Sequence, residues 1–262
     1  MTQRHPFFDR PAGWPIALAH RGFSLDGLEN SAAAFRAAVE LGFTHLETDV
    51  HTTADGVILA FHDDTLDRLT DRTGRIAELS SAELAEVRIR GRAPIPRLDD
   101  LLDEFPNARF NIDVKTVQSI QTLADAIERH GAHHRVLVTS FSDRRRRAVL
   151  RLLSRPVASS AGIVITVVFK VFGAILPGTL LRRILHDVHA LQVPERYGVV
   201  RVVTPRFLRR AHGLGLEVHV WTVNDPARMI RLLDLGVDGL VTDRADLLAS
   251  LLRERGQWPP RD

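Results

Sequence analysis

Apolar residues arrive along this chain in short bursts separated by longer amphipathic stretches. Bursts of strand length, rich in β-branched residues, fall at 16–19, 45–50, 109–115, 135–140, 157–161, 190–193, 217–222 and 239–242. Helical patterns with recognisable ends lie between most of them. "ENSAAAFRAAVELG" offers Asn30 or Ser31 as its N-cap and Gly42 as its stop. "SSAELAEV" contains a capping box from Ser80 to Glu83, and "DPARMIRLLDLG" sets Asp225 before Pro226 and ends at Gly236. Eight strands alternating with helices over most of a 262-residue chain predict an α/β fold, a (β/α)8 barrel. A doubly wound dinucleotide-type sheet would need a Gly-rich phosphate turn, which the sequence lacks.

One interruption breaks the alternation. "TTADG" at 52–56 is too short for a parallel crossover, so "VILAF" at 57–61 reads as an antiparallel return. Residues 51–96 are therefore expected to form an insertion between strand two and its helix, within a single barrel domain spanning 1–262.

Composition narrows the function without choosing it. Apolar residues make up 45% and charged residues 26%, ordinary values for a globular protein with a full core. There is no cysteine, which removes disulfides and thiolate metal sites. The N-terminal "MTQRHPFFDRPAGWP" has no apolar signal core, so a cytoplasmic location is expected. The balance is +3, and Lys115 and Lys170 are the only lysines among 35 basic residues. The run Arg144, Arg145, Arg146, Arg147 lies in a helical pattern, "DRRRRAVLRLL", with few aromatics, and is read as a solvated helix face; no nucleic-acid partner is expected. The histidines of "GAHHR" are likewise read as surface residues.

Candidate chemistry gathers at strand ends. His20 and Arg21 close strand one, and His62 closes the return strand. Glu47 and Asp49 stand two apart on strand two, and Asp113 and Lys115 two apart on strand three, so each pair leaves one face. Trp221 stands near the end of strand seven. In a barrel these C-terminal ends converge on one mouth. Three carboxylates brought together repel unless a cation holds them, which suits one hard divalent ion, Mg2+ or Ca2+, on Glu47, Asp49 and Asp113. Lys115 and Arg21 suit phosphate oxygens, and His20 and His62 supply an acid and a base. The blander reading pairs Glu47 and Asp113 with Arg21 and Lys115. His219, two residues before Trp221, reads as core or as support for the site.

The stretch "AHRGFSLDGLENSAAAFRAAVELGFTHLETDVHTTADGVILAFHDDTLDRLTDRTGRI" resembles the signature region of glycerophosphodiester phosphodiesterases. "NIDVK", "TSF", "VHVWTVND" and "GVDGLVTD" resemble its later blocks in the same order, from about residue 16 to 248. The resemblance implies a TIM barrel that hydrolyses small-molecule glycerophosphodiesters to glycerol 3-phosphate and an alcohol. The family's histidine pair falls on His20 and His62, its metal carboxylates on Glu47, Asp49 and Asp113, and its substrate contacts on Arg21, Glu29, Lys115 and Trp221. Three positions depart: Leu28 and Ser31 stand where the family usually has proline and threonine, and Asp113 where it commonly has glutamate. The attacking oxygen could be water's or the substrate's own neighbouring hydroxyl. Rival readings are a lysophospholipase D acting on single-chain lipids, a non-catalytic phosphodiester-binding barrel, and a binuclear Zn or Mn phosphohydrolase ligated by His20 and His62.

The longest apolar stretch, 157–181, holds Lys170 mid-way and Pro177 near its end, which argues against a membrane span. It reads as a strand, a loop and a helix packed on the barrel. The sharper alternative is that part of 163–176, apolar on nearly every face, stays exposed beside the mouth, where it would meet a membrane surface or a homodimer partner, with Arg182 and Arg183 nearby.

Overall fold

The computed structural model describes residues 4–259. The alternation resolves into eight parallel strands: β1 (Ile16–His20), β2 (His45–Thr52), β3 (Arg109–Val114), β4 (Val136–Thr139), β5 (Ala158–Ser159), β6 (Ala190–Pro194), β7 (Glu217–Trp221) and β8 (Gly239–Thr242). They hydrogen-bond in the order 5-4-3-2-1-8-7-6. A single parallel bridge, Ser160 to Ala190, joins the two ends of that row. The backbone hydrogen bonds at this join are Ala161 N–H to Ala190 O at 3.0 Å and His189 N–H to Ser159 O at 2.9 Å. The fold is the expected (β/α)8 barrel, its ring held at one join by very little.

The main helices around it are α1 (Ala32–Glu40), α2 (Leu98–Glu104), α3 (Ser119–Arg129), α4 (Asp143–Leu152), α5 (Ile163–Phe172), α6 (Gly178–Ile184), α7 (Pro205–Gly213), α8 (Pro226–Leu235) and α9 (Ala245–Glu254). Their starts follow the capping chemistry in the sequence. Ser31 accepts from Ala34 N–H, so it is the cap of α1 and Asn30 is not. Asp225 caps α8, whose end is a left-handed Gly236 with φ 93°. The Ser80–Glu83 capping box holds the helical turn Ser81–Ala85.

Strand alternation sends Ala17, Ala19, Leu46, Val50, Phe110 and Ile112 outward into the layer shared with the helices. Ile16, Leu18, Leu137, Ala158, Ala190 and Val241 point inward. There they meet Phe7 and Phe8, carried on the short turn Pro6–Phe8, which seal the floor of the barrel. The floor is pinned by His45 Nε2 to Phe7 O at 2.8 Å and Arg109 Nε to Pro6 O at 3.2 Å.

After β2 the return strand Ile58–Ala60 pairs antiparallel with it, Val50 opposite Ala60 and Thr52 opposite Ile58. The stretch that follows builds a small core of its own from Leu59, Phe61, Leu66, Leu69, Ile76, Leu84 and Ile89. The segment between β5 and β6 is a two-helix unit in which Pro177 ends the loop before α6.

Two surface assignments need correction. Arg146 is 0% exposed, although the run 144–147 reads as a solvated face. Its guanidinium reaches Ser159 Oγ at 3.0 Å, Asp187 O at 3.1 Å and Asp187 Oδ2 at 3.2 Å. His133, read as a surface histidine, is also buried, with Nε2 3.1 Å from Glu128 Oε1 and Nδ1 3.1 Å from Arg155. His219 is a fully buried core residue between Gln192 and Glu217.

Candidate active site

A cavity of about 580 Å3 opens at the C-terminal ends of the strands. His20, Arg21, Glu47, Asp49, His62, Asp113, Lys115 and Trp221 all line it, so eight of the nine residues singled out in the sequence converge. Glu29 does not line it. Its carboxylate lies behind Arg21 and Arg68, accepting from Arg21 Nη1 at 2.7 Å and Arg68 Nη2 at 2.7 Å.

Register explains the convergence. His20 of β1 is level with Glu47 of β2, and Asp49 of β2 with Asp113 of β3. At the turn after β1, Arg21 sits at φ 58° and Gly22 at φ 82°. A left-handed arginine is unusual and costs free energy unless its surroundings hold it. Here the turn aims Arg21 N–H at Glu47, 3.0 Å from its carbonyl and 3.1 Å from Oε2. Gly22 could not be replaced without moving α1, because a Cβ there would lie 2.6 Å from the Ala34 carbonyl carbon.

Each imidazole is backed by a carboxylate. His20 Nδ1 is 2.5 Å from Asp243 Oδ1, and Asn224 Nδ2 donates to the other Asp243 oxygen at 2.7 Å. His62 Nδ1 is 2.6 Å from Asp63 Oδ1, and Arg68 Nε donates to Asp63 Oδ2 at 2.5 Å. A carboxylate facing Nδ1 favours the Nδ1–H form of each neutral ring and leaves its Nε2 unprotonated. Asp243, Asp63 and Arg68 were not among the residues picked out in the sequence. Asp243 directly follows β8, so the strand-end rule that found His20 applies to it too.

The carboxylates between the rings are buried and their charges are unequal. Burial, then the neighbouring Asp49, pushes Glu47 up to about 7. Burial also raises Asp113. Asp49 moves the other way: Lys115 and Arg21 outweigh its burial and hold it below the usual aspartate range. The Lys115 ammonium stands 2.8 Å from Asp49 Oδ1 and 2.8 Å from Asp113 Oδ2. Arg21 Nε stands 3.1 Å from Asp49 Oδ2. Burial alone would lower His20, but Glu47 and Asp243 overcome it and leave the ring above its ordinary value.

The fit to a cation can be judged from these atoms. Among the described residues no three His, Cys, Asp or Glu side chains stand close enough to hold a metal as they are placed. Lys115 instead bridges two of the three carboxylates. Yet among the described residues Asp113 Oδ1 is buried without a partner, and Glu47 is a buried acid beside Asp49. An oxygen-only set with an orphaned buried oxygen matches a hard divalent ion.

The far side of the cavity is different in kind. Phe141 packs edge-on against Trp221 with ring centroids 6.0 Å apart, and Lys115 Nζ lies 5.7 Å from the Phe141 centroid. Beyond them the wall is apolar, formed by Ile163, Val167 and Val171 of α5 with Tyr197, Val200 and Val202.

Residues 20–247 match the model of the glycerophosphoryl diester phosphodiesterase family. The chain is 42% identical over 94% of its length, and of the relative's, to "probable glycerophosphodiester phosphodiesterase 2" of Mycobacterium tuberculosis. It is 24% identical to human lysophospholipase D GDPD1, over 90% of this chain and 85% of that one. The solved glycerophosphodiester phosphodiesterase of Agrobacterium tumefaciens superposes with a TM-score of 0.75 at 25% identity, covering 91% of this chain and 99% of the other.

Proposed function

The chain belongs to the glycerophosphoryl diester phosphodiesterase family, and from that premise we propose that it hydrolyses glycerophosphodiesters to glycerol 3-phosphate and an alcohol, using His20 and His62 as its acid–base pair. The observation that carries this reading is the matched pair of imidazoles, each tied through Nδ1 to a carboxylate and both lining the cavity that holds the acidic cluster. A module that only binds a phosphodiester has no need of two oriented proton carriers. One ring accepts the proton of the attacking hydroxyl, from water or from the substrate's own glycerol, and the other delivers a proton to the departing alkoxide. Arg21 and Lys115 orient and neutralise the phosphate oxygens. Glu29 and Arg68 keep Arg21 and Asp63 in register. Trp221 and Phe141 shelter the scissile bond from bulk water.

Glu47, Asp49 and Asp113 are the residues that would hold one Mg2+ or Ca2+, which when bound supplies charge neutralisation at the phosphate. Because Asp63 and Arg68 come from the insertion and Asp243 from the turn after β8, we read barrel and insertion as one catalytic unit. The apolar wall favours a second substrate class within the same chemistry, lysolipids whose single chain would lie along Val167, Val171 and Val200.

The test is a turnover screen of glycerophosphocholine, glycerophosphoethanolamine, glycerophosphoglycerol and lysophosphatidylcholine with Mg2+, Ca2+ or EDTA. Turnover of at least one substrate is expected, lost in EDTA, and reduced about 10²–10⁴-fold in His20→Ala and in His62→Ala. Near-wild-type turnover in either variant would remove that histidine from the mechanism, and full activity in metal-free protein would remove the cation.

A further inference from the structure

The mouth carries a lip that hydrolysis of a soluble diester does not use. α5 buries Ile165 and Phe169 against the barrel and turns Val164 (67% exposed), Val167, Val171 and Phe172 outward. Beside it, a two-stranded hairpin pairs Arg196 with Arg201 and Tyr197 with Val200. Gly198, at φ 56°, makes the tight turn, and Val199 stands at the tip, 93% exposed. Hairpin tips are ordinarily polar. Lys170, the only charge in α5, points into the structure: its ammonium donates to the carbonyls of Arg201 at 3.1 Å and Val202 at 2.9 Å. That contact fastens helix to hairpin and leaves the outer face of α5 without a charge.

Electrostatics says what covers this face. Residues 161–210 hold eight basic side chains and two acidic ones, in a chain whose total balance is +3, so the remainder is net acidic. Both acids are already engaged, Asp187 by Arg146 and Arg147, Glu195 by Arg228 and Arg231. Among the described residues none of the exposed Arg182, Arg183, Arg196, Arg201 and Arg206 has an acidic partner within 4 Å, in a structure where many other arginines do. Arg196 and Arg201 even face each other across the hairpin, an arrangement that is unfavourable without a counter-anion.

We propose that this lip docks on a bilayer surface carrying anionic lipids, with the outer face of α5 and the hairpin tip in the boundary between headgroups and acyl chains and the arginines on lipid phosphates. Docking is shallow, since no described helix is long and apolar enough to cross a membrane. A second copy of the chain fits less well, because a two-fold interface would set one arginine rim against the other. The proposal does not depend on which substrate is cleaved.

Flotation of the full chain with vesicles of phosphatidylcholine alone, or of phosphatidylcholine mixed with phosphatidylglycerol, tests it. The protein is expected to float with the mixed vesicles and far less with the neutral ones. Val164→Asp and Val199→Asp, both outside the cavity lining, should each weaken flotation about tenfold, and Arg196→Glu about fivefold. Unchanged thermal melting would show that these exposed substitutions leave the fold intact. Absence of flotation in the wild type, equal flotation with both vesicles, or flotation indifferent to Val164→Asp and Val199→Asp would overturn the proposal. So would a dimer in light scattering that Val164→Asp splits. Loss of all hydrolytic activity beside intact flotation would refute the catalytic reading alone.

Discussion

Each imidazole at the mouth leans on an aspartate, His20 on Asp243 and His62 on Asp63. The aspartate fixes which nitrogen carries the proton and which way the ring faces, and such partners are typically worth 10–100-fold. Asp243→Asn is therefore expected to lower kcat about 10–100-fold with little change in KM or melting temperature, read by steady-state kinetics and calorimetry. Asp63→Asn should behave alike. The period-two rule reached Glu47, Asp49, Asp113 and Lys115 because each has a partner two residues away on the same face. Asp243 has no such partner on β8. Asp63 is next to His62, and neighbours in a strand point apart; but the return strand ends at Ala60, so the two side chains are free to meet. Arg68 lies in the insertion, where no periodicity projects a side chain anywhere in particular.

A helix turns about 100° per residue, so four consecutive arginines cannot share one face. In α4 one of them had to point inward, and Arg146 does, into the base of β5, where it and Arg147 grip Asp187. Reading the run as a single charged patch overlooked that geometry. Burial would raise the Asp187 pKa, but hydrogen bonds from Arg147 and the nearby Arg146 charge prevail and hold it at about 2. As pH falls, the unfolded chain binds this proton first, near the ordinary value of 3.8. The stabilisation is thus whole above about pH 5 and fades toward pH 2, amounting to about 2 kcal/mol. Urea titrations of wild type and Asp187→Asn should show their stability gap narrowing by about that much between pH 6 and pH 2.5. A constant gap would mean that the carboxylate's charge contributes nothing there.

At the scale of the whole molecule, the strand–helix alternation and the short "TTADG" turn were enough to read the barrel and its insertion, because both are set by chain length between strands. The barrel floor was not legible. Phe7 and Phe8 sit on a three-residue turn with no repeat to mark them as core. Phe8→Ala should cost about 3–5 kcal/mol in urea unfolding, the range for emptying a buried aromatic site. The ring itself is uneven: β2 and β3 are paired over six residues, whereas β5 and β6 meet at one bridge. Local opening follows the least-bonded join, so amide hydrogens there should exchange with solvent through small fluctuations and those of β2 only through global unfolding. Deuterium uptake at Ala161 and His189 is expected to outpace that of Thr48 and Ile112 by orders of magnitude. Because α5 begins three residues past that join, a membrane seated on the lip would slow uptake at the join while leaving the opposite side of the barrel unchanged.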